Sequence, residues 1–133
     1  MTEILKITKV SLLAYGIVCL LYGILAIFFV GMLEAMTGYN DPFYPREFGG
    51  VLLVIAFYTF LVLFKKNWDW EHIKYGFLIL YTLIISTMIM EGSVGLLTLS
   101  TMSAEELNLH ILDFILMPIL LILGIYSYMK QGK

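Results

Sequence analysis

The sequence predicts an all-α fold, an integral membrane four-helix bundle with the N- and C-termini in the cytoplasm. The main observations are an apolar fraction of 61%, a charged fraction of only 14%, and four long apolar runs separated by short polar segments. Soluble domains are about 45–50% apolar and about 25% charged. Because a chain of 133 residues can bury only a limited share of its surface, lipid is the expected solvent for these runs.

The four apolar runs predict four membrane-spanning helices within a single transmembrane domain, residues 1–133. Crossing about 30 Å of hydrocarbon takes about 20 helical residues. We place the helices at about residues 10–33, 48–64, 70–90 and 104–129. The first run is longer than the apolar core of a cleaved signal peptide, which has about 7–15 residues, so we expect it to be retained.

Lysine and arginine are distributed unevenly between the two sides of the predicted bundle. One side carries seven lysines, and the other carries Arg46 alone. The seven are Lys6, Lys9, Lys65, Lys66, Lys74, Lys130 and Lys133. Since cytoplasmic segments are enriched in Lys and Arg, this pattern predicts a multi-pass protein of the cell membrane with both termini inside.

Local signals mark the starts of the third and fourth helices. Asp69 is a candidate N-cap for the third helix. The sequence "SAEE", residues 103–106, has the form of a capping box and predicts that the fourth helix starts near Ala104. The mostly apolar segment between these two helices is expected to be a covered loop, with a lid over a lateral opening as the alternative.

Small residues recur on one face of the first helix at intervals of three, four and three. They are Gly16, Cys19, Gly23 and Ala26. Close backbone approach is a main source of helix association in membranes, so this face predicts a packing seam, and Gly49-Gly50 allows close approach of the second helix. Tyr15 and Tyr22 lie near the same face; the alternative interpretation is that they line a ligand slot.

Ionisable residues gather at the predicted outer side. Glu106, His110 and Asp113 share one face of the fourth helix, Glu91 ends the third helix, and Arg46 and Glu47 precede the second. An ionisable group inside the bilayer costs roughly 2.5–3.5 kcal/mol at a helix centre, so Asp113 should face the bundle and have a partner. A guanidinium can hold two carboxylates, which predicts that Arg46 pairs with Asp113 or Glu91.

Three interpretations of this polar cluster stay open. It is a structural clamp that ties the helix ends together, a polar mouth that binds a ligand head group, or a metal site made of Glu106, His110 and Asp113. One histidine with surface carboxylates is a weak metal pattern, so no metal is predicted and no cofactor is required. The lone Cys19 excludes an intramolecular disulfide and a C-x-x-C pair.

Motifs for the common enzyme classes are missing from the sequence. There is no dinucleotide fingerprint, P-loop, zinc-protease motif or nucleophile elbow. No basic patch indicates nucleic-acid binding. A non-catalytic role without a nucleic-acid partner is therefore expected.

Two segments resemble the DoxX-like family of small four-helix membrane proteins. The second helix opens with "PREFGGVLLVIAF", in which Arg46, Glu47, Gly49 and Gly50 occupy the family pattern, and "YGIVCLLYGILAIFF" is similar to its glycine-spaced first helix. The resemblance implies a membrane subunit or a small binding protein. Some members of the family are associated with quinone-linked oxidation of sulfur compounds.

The expected function is that of a small non-catalytic membrane protein with a polar outer mouth. The mouth would bind a lipid- or quinone-like ligand or a partner subunit, and a homo-oligomer is left open. Its candidate residues are Arg46, Glu47, Glu91, Glu106, His110 and Asp113. The alternatives are a structural accessory subunit of a larger membrane complex, such as an oxidoreductase, and a small proton-coupled transporter that uses Asp113, Glu91 and His110.

Overall fold

The computed structural model describes residues 3–37, 43–98, 100–101 and 103–131. Within these ranges it describes all side chains except those of residues 36, 37, 43, 44, 94, 105, 106 and 109. The described chain consists of helices and connecting segments without strands, which confirms the predicted all-α class. The helices are α1 (Lys6–Phe28), α2 (Val30–Thr37), α3 (Phe43–Phe64), α4 (Trp70–Thr98) and α5 (Ala104–Gln131).

Four of the described helices are long and apolar enough to cross a membrane. The spans are Lys6–Phe28, Pro45–Phe64, Trp70–Thr98 and His110–Gln131. Large apolar side chains point outward along them; Phe57 and Phe64, for example, are 69% and 80% exposed. Contiguous apolar surface of this kind is unfavourable in water, so the helices are consistent with a multi-pass membrane protein.

The helices alternate in direction around α1. Gly16 of α1 meets Thr59 of α3, and Gly23 meets Gly49, so α1 and α3 are antiparallel. The Thr8 hydroxyl donates a hydrogen bond to Gln131 of α5. Tyr15 lies beside Tyr81 of α4, with ring centroids 5.7 Å apart. The bundle therefore has up-down-up-down connectivity.

Two ends of the bundle differ in charge. We call the end where α1 and α4 begin the basic end, because Lys6, Lys9, Lys65, Lys66 and Lys130 are exposed there. The opposite end, which holds α2 and the α4–α5 connection, is called the acidic end. Its described ionisable groups include Glu34, Glu47, Glu91 and Asp113.

The first long run is divided at Phe29, whereas the sequence predicts one helix over residues 10–33. Phe29 has φ −121° and ψ 36°, outside the helical region. Its N–H still donates to the Leu25 carbonyl at 3.0 Å, and its own carbonyl accepts from Met32 and Leu33 at 3.0 and 3.2 Å. The backbone bonds are thus kept across the break, and α2 turns to pack against α1 and α5.

The first part of the segment predicted to be a covered loop or a lid, residues 91–98, is helical. It forms the last turns of α4, which continues to Thr98 instead of ending near residue 90. Leu96 and Leu97 are 81% and 83% exposed on these turns. In apolar surroundings a helix satisfies its own backbone groups, whereas a loop leaves them unpaired, which explains why this apolar stretch extends the helix.

The starts of α4 and α5 follow their local signals. The His72 N–H donates to Asp69 Oδ1 at 3.3 Å, so Asp69 is the N-cap of α4, as predicted. The His72 ring also contacts Asp69 Oδ1 at 2.5 Å, and this hydrogen bond lowers the pKa of the Asp69 carboxyl. Helix α5 begins at Ala104, where the capping-box motif places it.

Glycines bring α1 and α3 into close contact. A Cβ added at Gly49 would lie 2.7 Å from the Ala26 Cβ and 3.2 Å from the Gly23 carbonyl oxygen. A Cβ at Gly16 would overlap the Thr59 side chain. The sequence pairs Gly50 with Gly49, but a Cβ at Gly50 would meet nothing within 4 Å. Adjacent helical residues point about 100° apart, so only one of the two glycines can face α1.

The core lies mainly in the half of the bundle near the basic end. Trp70, Phe77 and Tyr81 are buried, and the Phe77 and Tyr81 ring centroids are 4.5 Å apart. The Gln131 side chain accepts hydrogen bonds from the Leu5 N–H at 2.8 Å and the Thr8 hydroxyl at 2.9 Å. These contacts fasten the start of α1 to the end of α5.

Candidate binding site

A cavity of about 90 Å³ lies between the four long helices, in the half of the bundle near the acidic end. We call it the acidic-end pocket. Helix α1 contributes Tyr15, Val18, Cys19 and Tyr22 to its wall. Their spacing of i, i+3, i+4 and i+7 is that of one helix face, so a single stripe of α1 lines the cavity.

The other three helices complete the wall. Helix α3 contributes Phe48 and Leu52, and α5 contributes Asp113 and Met117. Helix α4 contributes a stripe of three residues, Ile84, Thr87 and Glu91. The pocket therefore combines aromatic and aliphatic walls with two carboxyl groups inside segments that are apolar enough to span a membrane.

The polar residues lie well inside the helix ends. Tyr22 is six residues before the end of α1 at Phe28, roughly 9 Å along the axis at about 1.5 Å per residue. Asp113 is nine residues after the start of α5 at Ala104, roughly 13 Å by the same measure. The pocket is thus recessed below the acidic end and not a feature of its outer surface.

Each carboxyl group has one interhelical partner. The Tyr22 hydroxyl donates a hydrogen bond to Asp113 Oδ1 at 2.7 Å. The Nδ1 atom of His110 lies 3.2 Å from Glu91 Oε2. Both acids are half-buried. An ionisable group in an apolar span is costly unless it is partnered, so these contacts help to hold the carboxyls where they are.

A second, much smaller cavity adjoins the pocket. It has a volume of about 10 Å³ and is lined by Glu91, Asp113 and Met117, which also line the pocket, together with Met88 and Phe114. A single water needs about 10–15 Å³. The space that adjoins the main pocket beside the two carboxyls is therefore no larger than one water.

The hydroxyl groups on the wall donate to protein acceptors. Tyr15 donates to the Leu80 carbonyl at 3.3 Å, and Thr87 donates to the Leu83 carbonyl at 2.9 Å. The Tyr22 hydroxyl donates to Asp113, as described above. The polar atoms that still face the pocket are consequently mostly acceptors.

Tight packing closes the pocket towards the basic end. One turn below Tyr15, the Ser11 hydroxyl is hydrogen-bonded to the Tyr81 hydroxyl, and both residues are buried. Leu12 is 1% exposed beside them. Gly124 of α5 leaves room for the Tyr81 ring, since a Cβ there would overlap it. The Tyr81 ring therefore packs beneath Tyr15, on the side of the pocket towards the basic end.

The predicted ion pair of Arg46 with Asp113 or Glu91 is not formed. Asp113 is paired with Tyr22 and Glu91 with His110, while Arg46 is exposed and has no ion-pair partner within the described part of the chain. Its position on the helix explains the error. Phe48 faces the pocket, and a residue two positions earlier points about 200° away around the axis.

The remaining predicted residues do not all reach the pocket. Glu91 and Asp113 line it, and His110 contacts Glu91 from outside the cavity. Glu47 is exposed and does not line it. The Glu106 side chain lies outside the described side chains, so the metal interpretation that uses it is untested. Among the described residues no group of three His, Cys, Asp or Glu could hold a metal ion.

Some wall residues could be anticipated from the sequence and others could not. Tyr15 and Tyr22 line the pocket, in agreement with the alternative interpretation that they line a ligand slot, and Met117 continues the Asp113 face of α5. Phe48 and Thr87 are ordinary members of apolar runs. Their role depends on how α3 and α4 are rotated against α1, which a single sequence does not specify.

The chain was compared with protein families, with curated proteins and with solved structures, and no match was found in any of the three.

Proposed function

We propose that this protein binds an amphiphilic small molecule whose compact polar head group occupies the acidic-end pocket. The observation that supports this most directly is a cavity built by four apolar helices around two carboxyl groups. Binding sites between bundle helices are commonly apolar with a few convergent polar groups. The role proposed is that of a binding protein.

Cavity size favours a small head group over a ring. The pocket volume is about 90 Å³. A dry cavity that accommodates benzene in another protein has a volume of about 150 Å³. A lipid-like amphiphile with a head group of a few heavy atoms is therefore the better candidate, and a quinone-like ring would have to enlarge the pocket.

The apolar tail of such a molecule would leave the pocket between α3 and α4. Phe48 and Leu52 of α3 and Ile84 and Thr87 of α4 all line the cavity. Neighbouring outward-facing residues of α3 such as Val51, 54% exposed, offer apolar surface for a tail. The head group would then be held by protein while the tail stays in lipid.

Binding is favoured over transport because of the packing between the pocket and the basic end. A transport path would have to pass the buried Leu12 and the hydrogen-bonded pair Ser11 and Tyr81. These three buried side chains lie between the pocket and the basic end. The proposal therefore needs no second conformation of the helices.

We also propose that the acidic end is the outer end and that both termini are cytoplasmic. The support is the concentration of lysines at the basic end, which matches the usual excess of Lys and Arg on the cytoplasmic side. We further propose kinship with the DoxX-like family. Its support is the Arg46-Glu47 pair followed by Gly49, the glycine on which α1 and α3 make contact.

The binding proposal can be tested by filling the pocket. Leu52→Trp places a large side chain in the cavity wall, whereas Leu61→Trp makes the same change on the 38% exposed surface of the same helix. Radiolabelled dodecylamine, dodecanol and dodecanoate would be titrated against the protein in phosphatidylcholine nanodiscs, with empty nanodiscs subtracted. We expect saturable binding of at least one probe that Leu52→Trp abolishes and Leu61→Trp retains. Saturable binding of none of the three would overturn the proposal.

A further inference from the structure

We infer that the head group bound in the acidic-end pocket is a protonated amine. This inference rests on the proposed binding function and specifies the chemical class of its ligand. Three properties of the pocket wall support the inference: its free hydrogen-bond acceptors, its negative charge and its aromatic side chains.

Donor capacity on the wall is nearly exhausted. The hydroxyls of Tyr15, Tyr22 and Thr87 donate to the Leu80 carbonyl, the Asp113 carboxyl and the Leu83 carbonyl. A hydroxyl has a single proton to donate, so none of the three is free to donate to a ligand in this arrangement. The Cys19 thiol is a weak donor. A carbonyl, phosphate or carboxylate head group would find few partners.

Acceptor capacity, in contrast, remains. Each carboxylate has two oxygens and about four acceptor positions. Tyr22 uses Oδ1 of Asp113, and His110 contacts Oε2 of Glu91. Within the described part of the chain, the other oxygen of each carboxyl forms no hydrogen bond with a protein group. An ammonium, which has three donors, can bind both carboxylates and a hydroxyl oxygen of the wall.

Charge leads to the same ligand class. No Lys, Arg or His is among the described residues that line the pocket. His110 contacts Glu91 from outside the cavity, and Arg46 is exposed on another face of α3. Two carboxylates in an apolar span repel each other and are poorly solvated, and a bound cation offsets both effects.

Aromatic rings add to the preference for a cation. Tyr15, Tyr22 and Phe48 all line the cavity. The face of an aromatic ring attracts an ammonium group, by roughly 0.5–2 kcal/mol depending on desolvation. A primary amine on an alkyl chain matches a wall that combines carboxyl groups with aromatic rings, and its small head suits a cavity of about 90 Å³.

The test compares three head groups on one tail. In the nanodisc titration, we expect dodecylamine to bind at least about tenfold more tightly than dodecanol, and dodecanoate to bind most weakly. If dodecanol binds as tightly as dodecylamine and Leu52→Trp abolishes both, the pocket binds amphiphiles but the inference about the amine is wrong. The comparison of the three head groups uses the unmodified protein, so its result does not depend on the folding of a variant.

Isosteric variants then assign the preference to the two carboxyls. Glu91→Gln and Asp113→Asn together should remove most of the advantage of the amine over the alcohol. The control is Glu34→Gln with Glu47→Gln, which removes the same charge from the acidic end without touching the pocket wall. If both double variants lost the same share of the amine's advantage over the alcohol, surface charge alone would attract the amine. That result would overturn the inference.

Discussion

At the scale of single residues, the stability of the pocket depends on how two acids are held inside apolar helices. Asp113 is bound by a tyrosine of α1, and Glu91 by a histidine of α5, so each acid is tied to another helix. These contacts join three of the four long helices near the acidic end. Hydrogen-bonded pairs such as Tyr22–Asp113 and His110–Glu91 can keep a site open. Apolar side chains would otherwise fill it.

The Tyr22–Asp113 hydrogen bond can be tested by Tyr22→Phe, which removes the donor and leaves the ring. Hydrogen bonds between membrane helices contribute about 0.6 kcal/mol on average and up to about 1.7 kcal/mol. We expect the free energy of unfolding to fall by about 1 kcal/mol in a denaturant titration. The matched control is Tyr75→Phe on α4, since Tyr75 is 67% exposed. Equal stability of the two variants would show that the bond is not significant.

Sequence reasoning predicts that Asp113 faces the bundle and has a partner, and it names the wrong partner. Depth can be estimated by counting residues from the helix end, because the rise per residue is fixed. The choice between Arg46 and Tyr22 depends on the rotation of α3 and α1 about their axes. Charge complementarity favours the arginine, but helix geometry directs it away from the pocket.

At the scale of helices, the contact between α1 and α3 shapes the pocket. Gly16 and Gly23 let α3 approach the backbone of α1 closely along one face. On the adjacent face of α1, Tyr15 and Tyr22 extend towards α4 and α5. Small residues on one face keep α1 close to α3, and the large residues on the adjacent face form one wall of the pocket between the four long helices.

Gly49→Ala and Gly50→Ala form a matched pair for this contact. Alanine is favoured over glycine in a helix by about 0.8–1.0 kcal/mol, and both variants receive that gain. Only the Cβ at Gly49 would overlap α1, and overpacking costs roughly 1–3 kcal/mol. We expect Gly50→Ala to melt at or above the temperature of the unmodified protein and Gly49→Ala to melt below it. The reverse order would contradict the proposed seam.

The small-residue spacing on α1 is visible in the sequence because it follows the helical period. The extension of α4 to Thr98 is harder to predict. Gly92, Ser93 and Gly95 are typical of loops in water, and their presence favours a loop over residues 91–98. In the folded chain the Ser93 hydroxyl donates to the Met90 carbonyl at 2.8 Å, which lets the residue remain helical.

At the scale of the whole molecule, the two halves of the bundle have different packing. The basic half contains the aromatic core and the buried residues Thr8, Ser11, Ser127 and Gln131. The acidic half contains the pocket and the exposed end of α4. A closely packed half beside a half that contains a cavity is suited to a binding protein, because the buried core lies mainly outside the site.

Orientation in the membrane is tested by labelling single cysteines with a membrane-impermeant maleimide. The native Cys19 is 2% exposed and should not react. We expect Glu47→Cys to be labelled in right-side-out vesicles and Lys66→Cys only in inverted ones, because lysines are retained on the cytoplasmic side. Labelling with the opposite sidedness would invert the proposed topology without affecting the pocket.

The most direct test of the central claim is to locate a bound amphiphile within the bundle. A dodecylamine with a diazirine beside its amine would be photoactivated with the protein in nanodiscs, and the labelled peptides mapped by mass spectrometry. We predict that the label concentrates at Leu52 and Met117 of the pocket wall and that excess dodecylamine displaces it. Label spread over outward-facing residues such as Phe57 and Ile122, with no displacement, would contradict the existence of a binding site in the acidic-end pocket.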